Sequence, residues 1–325
     1  MLDMVIKQVD AFTADPFCGN PAGVITDADA LSSEDMLRIS GEMNLAETGF
    51  ITMPTSPDAM FRIRFFTPTE EVDISGHVTI ASCYALIEDG RIPLSYGVNL
   101  VHFETGIGTI RVEIHYSEND DGGENVKISG NGDNNGYLKK IMMQQSISSY
   151  YESPISTSEI ASILGIDPGE ISGTGLPMEV VATGLEQLIV PVKRRETILD
   201  LNPDLIKLGL VNKKYNIHTN HIFSLDTFSE ECISYARHFA PAVGMWEDPA
   251  TGTAAAGLGT YLLRHGVATN GTMVMEQGKE SGNLARILVE MKDSDFGENL
   301  VQIGGLAVTS ITRKISVQHD TISVS

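Results

Sequence analysis

Three cysteines in 325 residues, Cys18, Cys83 and Cys232, are too few and too scattered for a disulfide framework or a CxxC metal pair. They are expected to be reduced thiols. Basic residues are also scarce: 22 Lys and Arg stand against 43 Asp and Glu, a net charge of −21. Such a surface repels phosphate backbones and anionic membranes, so nucleic acid and lipid are not expected as partners. No apolar run approaches the ~20 residues that span a bilayer. The opening MLDMVIKQVDAF lacks the basic flank and small-residue cleavage site of a secretion signal, which points to a cytoplasmic location.

Several chemical signatures are missing too. GTAAAGLG puts Leu258 where a P-loop needs Lys, and Gly257 and Gly259 are not followed by the third glycine of a dinucleotide fingerprint. No HExxH or acidic cluster accompanies His218 and His221, and no G-x-S-x-G offers a serine nucleophile. Neither a metal nor a nucleotide-binding motif is signalled. Cys18, in DPFCGNPAGVI, is read first as a small packed residue and second as an acid–base thiol.

What the chain does have is strand-like runs rich in β-branched and aromatic residues: 6–12, 48–53, 59–67, 109–116, 188–192, 222–225, 285–291 and 306–311. Helices are few. LSSEDMLRISGEMN opens on Ser32 or Ser33 and carries Met36, Ile39 and Met43 on one face; ISTSEIASILG has Ser156 and Glu159 at capping-box spacing and Gly165 behind. The polar, glycine-rich stretch 117–136 predicts a long hairpin or a linker. The expected domains are therefore 1–120 and 121–305.

An internal echo is more informative. Arg64-Phe66-Pro68 and Arg237-Phe239-Pro241 share the pattern R-x-F-x-P. Each is followed by a glycine that starts a helical stretch, Gly76 and Gly252, and each stretch ends at a glycine, Gly90 and Gly266, at the same distance. This spacing predicts a duplicated unit in which a helix apolar on most sides lies wrapped by sheet. The small residues of TGTAAAGLG are expected to let other backbone approach closely.

A helix start preceded by glycine exposes free N–H groups and a positive dipole end, which favours a carboxylate or phosphate. His77 sits at the first start; Asp248 and Thr253 flank the second. Each of these has a plainer reading as a local cap. Glu47, between Leu45, Ala46, Phe50 and Ile51, has two readings: a carboxylate whose burial raises its pKa and suits it to proton transfer, or a solvated residue at a strand start.

QVDAFTADPFCGNPAGVI, NLAETGFI, RFFTPTEEVDISGHVTIAS, EDPATGTAAAGLG and EQG (276–278), in order over nearly the whole chain, resemble the PhzF-like family, named for phenazine biosynthesis. The resemblance implies an α+β fold like that of diaminopimelate epimerase: two pseudo-equivalent domains, each a rolled, mostly antiparallel sheet around a central helix, with strands near 306–325 returning to complete the first. It implies a cofactor-independent isomerase, a homodimer, acting on a small carboxylate-bearing metabolite. In that family a glutamate maps onto Glu47 as proton shuttle, with His77 and Asp248 catalytic and Gly76, Gly252 and Thr253 binding substrate. Asp73 and Val78 replace prolines that the family commonly has. Two alternatives stay open: a catalytically silent metabolite- or partner-binding protein, and an amino-acid epimerase using Cys18 with Glu47.

Overall fold

Polar N-caps mark several of the helices, whereas the two central helices are set by burial on all sides. The computed structural model describes residues 2–120, 122–129, 135–146, 149–279, 284–293, 299–318 and 321–324. The chain divides into two compact units, Met1–Gln144 with Gly304–Ser325, and Gln145–Ile303.

In unit 1 the chain runs β1 (Leu2–Ala11), β2 (Asn20–Ile25), α1 (Ser33–Met43), β3 (Thr48–Thr52), β4 (Phe61–Phe66), β5 (Glu71–Val72), α2 (Gly76–Glu88), β6 (Gly97–Thr105), β7 (Gly108–Ser117), β8 (Val126–Ser129) and β9 (Asn135–Gln145). The C-terminal strand Ala307–Gln318 pairs antiparallel with β1 along its whole length. Ser32 caps α1 in a capping box with Asp35, and Asn44 ends it in the left-handed conformation. Met36 and Ile39 are buried from that helix beside Phe50 and Phe66, whose rings meet edge to face at 5.5 Å.

Helix α2 is buried at every position from Val78 to Ile87 and packs against β1, β2, β3, β4 and Ala307–Gln318. A helix apolar all round needs such a wrapping. Gly49 of β3 makes it possible, because a Cβ there would meet Val78 Cγ1 at 2.6 Å and Ser82 Oγ at 2.8 Å.

The expected boundary near residue 120 falls inside unit 1. β8 pairs with β9 and β9 continues antiparallel along β7, so the polar segment is tied to the first sheet by strand hydrogen bonds. Residues 121 and 130–134 of that segment lie outside the described residues.

Unit 2 comprises β10 (Ser149–Glu152), α3 (Thr157–Leu164), α4 (Pro168–Ser172), β11 (Glu179–Ala182), β12 (Glu186–Pro191), α5 (Arg195–Leu199), α6 (Leu205–Tyr215), β13 (Thr219–Ser224), β14 (Ser234–Ala240), β15 (Met245–Asp248), α7 (Gly252–Arg264), β16 (Gly271–Gln277) and β17 (Ala285–Asp293). Ser156 caps α3 and Gly165 closes it in the left-handed region, as the capping residues predict.

The echo is a duplication of topology. In unit 1, β2 and β3 are parallel, β3 and β4 antiparallel, β4 and β5 antiparallel, β4 and β6 parallel, β6 and β7 antiparallel. In unit 2, β12 and β13, β13 and β14, β14 and β15, β14 and β16, and β16 and β17 repeat that series exactly in sense. The helices that follow, α2 and α7, are thirteen residues each. Gly90 and Gly266 behind them have φ of 68° and 69°, a conformation that costs glycine little.

Arg64 and Arg237 explain the shared R-x-F-x-P. Arg64 holds Glu71 of β5 with two hydrogen bonds, at 2.7 and 2.6 Å, and Arg237 holds Glu247 of β15 with two, at 2.7 and 2.8 Å. Each guanidinium lies over its own phenylalanine, Phe66 at 5.2 Å and Phe239 at 5.0 Å. The motif therefore pins the short strand that leads into the central helix. Close approach to α7 is by side chains rather than backbone: Gly257 lies under Gln187 of β12, and Gly259 under Val289 of β17 and Met273 of β16.

Candidate functional site

In unit 1, α1 ends at Asn44 and the chain turns through Leu45 and Ala46 to place Glu47 one residue before β3. The Glu47 carbonyl accepts a hydrogen bond from Gly23 N of β2 at 3.3 Å, which fixes the backbone there. Across from it α2 begins at Gly76. Its N-cap residue, Ser75, makes no capping bond to the helix; its hydroxyl lies 3.4 Å from His77 Nδ1. The first turn of α2 therefore lacks the usual bond from its N-cap side chain.

His77 Nδ1 is 3.7 Å from Glu47 Oε2. The two side chains are 12% and 20% exposed, so both are largely buried while the carboxylate still reaches solvent. Burial pushes the His77 pKa down to about 4, and the ring is neutral at pH 7 despite the nearby carboxylate. Its Nε2 is buried with no hydrogen-bond partner among the described residues. An orphaned buried polar atom of this kind is uncommon and is a place for a ligand atom.

The two positions where prolines were expected have separate roles. Asp73 is exposed, and its carbonyl accepts a hydrogen bond from Gly106 N at 2.9 Å. Val78 is fully buried against Gly49, so it contributes to the seat of α2.

In unit 2, Asp248 ends β15 and α7 starts at Gly252. Thr251 again makes no capping bond to its helix. Its hydroxyl donates to Asp248 Oδ2 at 2.5 Å and accepts from Gln277 Nε2 at 3.0 Å. Gln277 also accepts from Thr251 N at 3.0 Å and donates to the Asp248 carbonyl at 2.9 Å. Asp248 is thus tied to the helix start through its neighbour's hydroxyl and the end of β16. The Thr253 carbonyl accepts from Gln187 Nε2 at 3.2 Å, leaving the Thr253 hydroxyl half-buried at the start of α7. Gln277 stands in the EQG block, yet its bridging role has no local signal: it follows from β16 lying beside β14.

Cys18 is partly exposed, and burial with Asp15 and Asp10 nearby pushes its thiol pKa up. A protonated thiol is a poor proton-abstracting group. His218 pairs with Glu186 at 2.9 Å and His221 with His238, and among the described residues no cluster of three or more His, Cys, Asp or Glu could hold a metal ion.

Two rolled sheets with the same strand order, each around a central helix whose N-cap side chain makes no capping bond, define the class: an α+β fold of the diaminopimelate epimerase type. The model of the phenazine biosynthesis-like protein family, PhzC-PhzF, matches residues 9–313, and the chain belongs to that family. It is 32% identical over 310 residues to an uncharacterized isomerase of Clostridium acetobutylicum, covering 93% of this chain and 95% of that one. The crystal structure of a PhzF-family phenazine biosynthesis protein from Bacillus anthracis superposes with a TM-score of 0.82 at 30% identity, covering 98% and 100% of the two chains. A hydroxyproline epimerase from Agrobacterium vitis shares the fold at a TM-score of 0.59 and 12% identity, over 96% and 92%.

Proposed function

We propose that this protein is a cofactor-independent isomerase that moves a proton on a small carboxylate-bearing metabolite, with Glu47 as general acid–base. The observation that carries the reading is the pairing of Glu47 with a neutral, buried His77 at the start of α2, where the N-cap side chain makes no capping bond. Family membership and the Clostridium relative named as an isomerase support the reaction class.

The Glu47 carboxylate takes a proton from a carbon near the substrate carboxylate, and the C–H electron pair delocalises into the adjoining unsaturated system. The resulting carboxylic acid returns the proton to a different carbon, so atoms and charge balance without a co-reactant. His77, neutral, hydrogen-bonds to developing negative charge without neutralising Glu47. In unit 1 the helix start at Gly76 favours a substrate oxygen; in unit 2 the helix start at Gly252, with Asp248 and Thr253, is read by itself as a substrate-binding and orienting group. The protein acts as a cytoplasmic homodimer in this reading, which sedimentation of the purified chain checks.

Solvent deuterium incorporation, followed by NMR over a panel of small unsaturated and amino acids, tests the assignment. Incorporation by wild type and its loss in Glu47→Gln supports it. Thermal stabilisation by an acid without exchange favours a binding protein with the same residues.

A further inference from the structure

Because the two units repeat one strand series, each position of unit 2 can be compared with its counterpart in unit 1. In unit 1 the row across β3, β4 and β5 is Gly49, Phe65 and Val72, directly opposite one another in register. In unit 2 the same row, across β13, β14 and β15, is His221, His238 and Asp248. The position one residue earlier on the middle strand is arginine in both, so the frame is aligned at that point.

An apolar solution for this row therefore exists in the same molecule, and unit 2 departs from it with three polar side chains. His221 and His238 are each 2% exposed, with Nδ1 to Nδ1 at 3.3 Å and ring centroids 5.4 Å apart. Burying two imidazoles is costly unless each polar atom is used. Burial lowers the pKa of both, His238 to about 3, so both are neutral.

A hydrogen bond between two neutral Nδ1 atoms needs one ring protonated at Nδ1 and the other at Nε2. The pair is consequently locked in opposite tautomers. Directly opposite residues of an antiparallel pair project from the same face, which puts His238 in the row that ends at Asp248. Asp248 in turn bonds Thr251, and Gln277 bridges both.

We propose that His221 and His238 are positioning residues: a tautomer-locked pair that sets the environment of Asp248 and, through Thr251 and Gln277, the start of α7. This rests on the reading of Asp248 as a substrate-orienting group. The pair supplies a polar but uncharged wall along the row that ends at Asp248.

Two variants and two readouts test the proposal on the full chain. His238→Phe installs the residue unit 1 uses; His238→Asn keeps a polar atom near the Nδ1 position. Histidine ¹⁵N NMR of wild type at pH 7 is expected to show two neutral rings of opposite tautomer at His221 and His238. The ¹³C titration of the Asp248 carboxyl is expected to move by about half a pH unit or more in His238→Phe and to return towards wild type in His238→Asn. Glu247, held by Arg237, serves as the unmoved control. Rings in the same tautomer, a charged ring at pH 7, or an Asp248 titration unchanged in a folded His238→Phe would each overturn the pairing role. None of these readouts needs turnover, so a failure of the isomerase reading shows separately, as absence of deuterium exchange in wild type.

Discussion

His77 Nδ1 lies 3.7 Å from Glu47 Oε2 at a helix start whose N-cap residue, Ser75, makes no capping bond. The ring is neutral and its Nε2 has no hydrogen-bond partner among the described residues. A neutral imidazole does not hold a neighbouring carboxylate as an ion pair, whereas an imidazolium there would. Glu47→Gln keeps the shape and removes the proton acceptor. Its kcat is expected to fall by about 10²–10⁴-fold, with thermal stability close to wild type and ligand binding retained.

His77 also makes stability depend on pH. Its folded pKa, about 4, is below the ordinary value of 6.5, so the unfolded chain binds the proton more readily. The contribution is fully present above pH 6.5 and is lost as pH falls towards 4. Each such histidine steepens the loss by up to about 1.4 kcal/mol per pH unit in that window. Urea unfolding from pH 7 to pH 4 is expected to show a shallower decline for His77→Asn than for wild type.

The duplicated arginines differ in burial. The Arg237 side chain is 4% exposed and its Nη1 also bonds the carbonyls of Ile198, Leu199 and Leu201, whereas the Arg64 side chain is 19% exposed and its Nη2 reaches Ser33 Oγ. Arg237→Met strands Glu247 and three carbonyls and is expected to cost about 3–5 kcal/mol. Arg64→Met, with more solvent at hand, is expected to cost about 1–2 kcal/mol. Denaturant midpoints of the two variants check the order.

Gly49→Ala places a methyl group against Val78 and Ser82 of α2. The first turn of that helix must shift, and about 1–3 kcal/mol of stability is expected to go with it. Because His77 rides on the same turn, deuterium exchange is expected to fall more than stability alone would require. Unchanged exchange in a folded Gly49→Ala would show that the turn tolerates displacement.

The capping residues made α1 and α3 legible, since Ser32 and Ser156 do the same local job in any context. The duplication was legible through R-x-F-x-P because an arginine, its phenylalanine and a following acid perform one task in both units. Strand β14, SYARHFA, was harder to see. Its seven positions are all buried, including Arg237 and His238, so polar residues occupy core places and hide the strand pattern. β2, NPAGVI, carries proline and glycine that read as a turn. The His221–His238 pair was missed for a related reason: His221 stands three residues from His218 in sequence, while its true partner is brought to it only by strand pairing. Boundaries set by non-local pairing, such as that of β7 with β9, have no local signature either.

The most direct test of the central claim is NMR-detected deuterium incorporation from D₂O into small unsaturated acids by wild type and Glu47→Gln, side by side. Proton transfer through Glu47 predicts exchange at a carbon near the carboxylate with wild type and at least about a hundredfold less with the variant. Equal exchange by both proteins would contradict it.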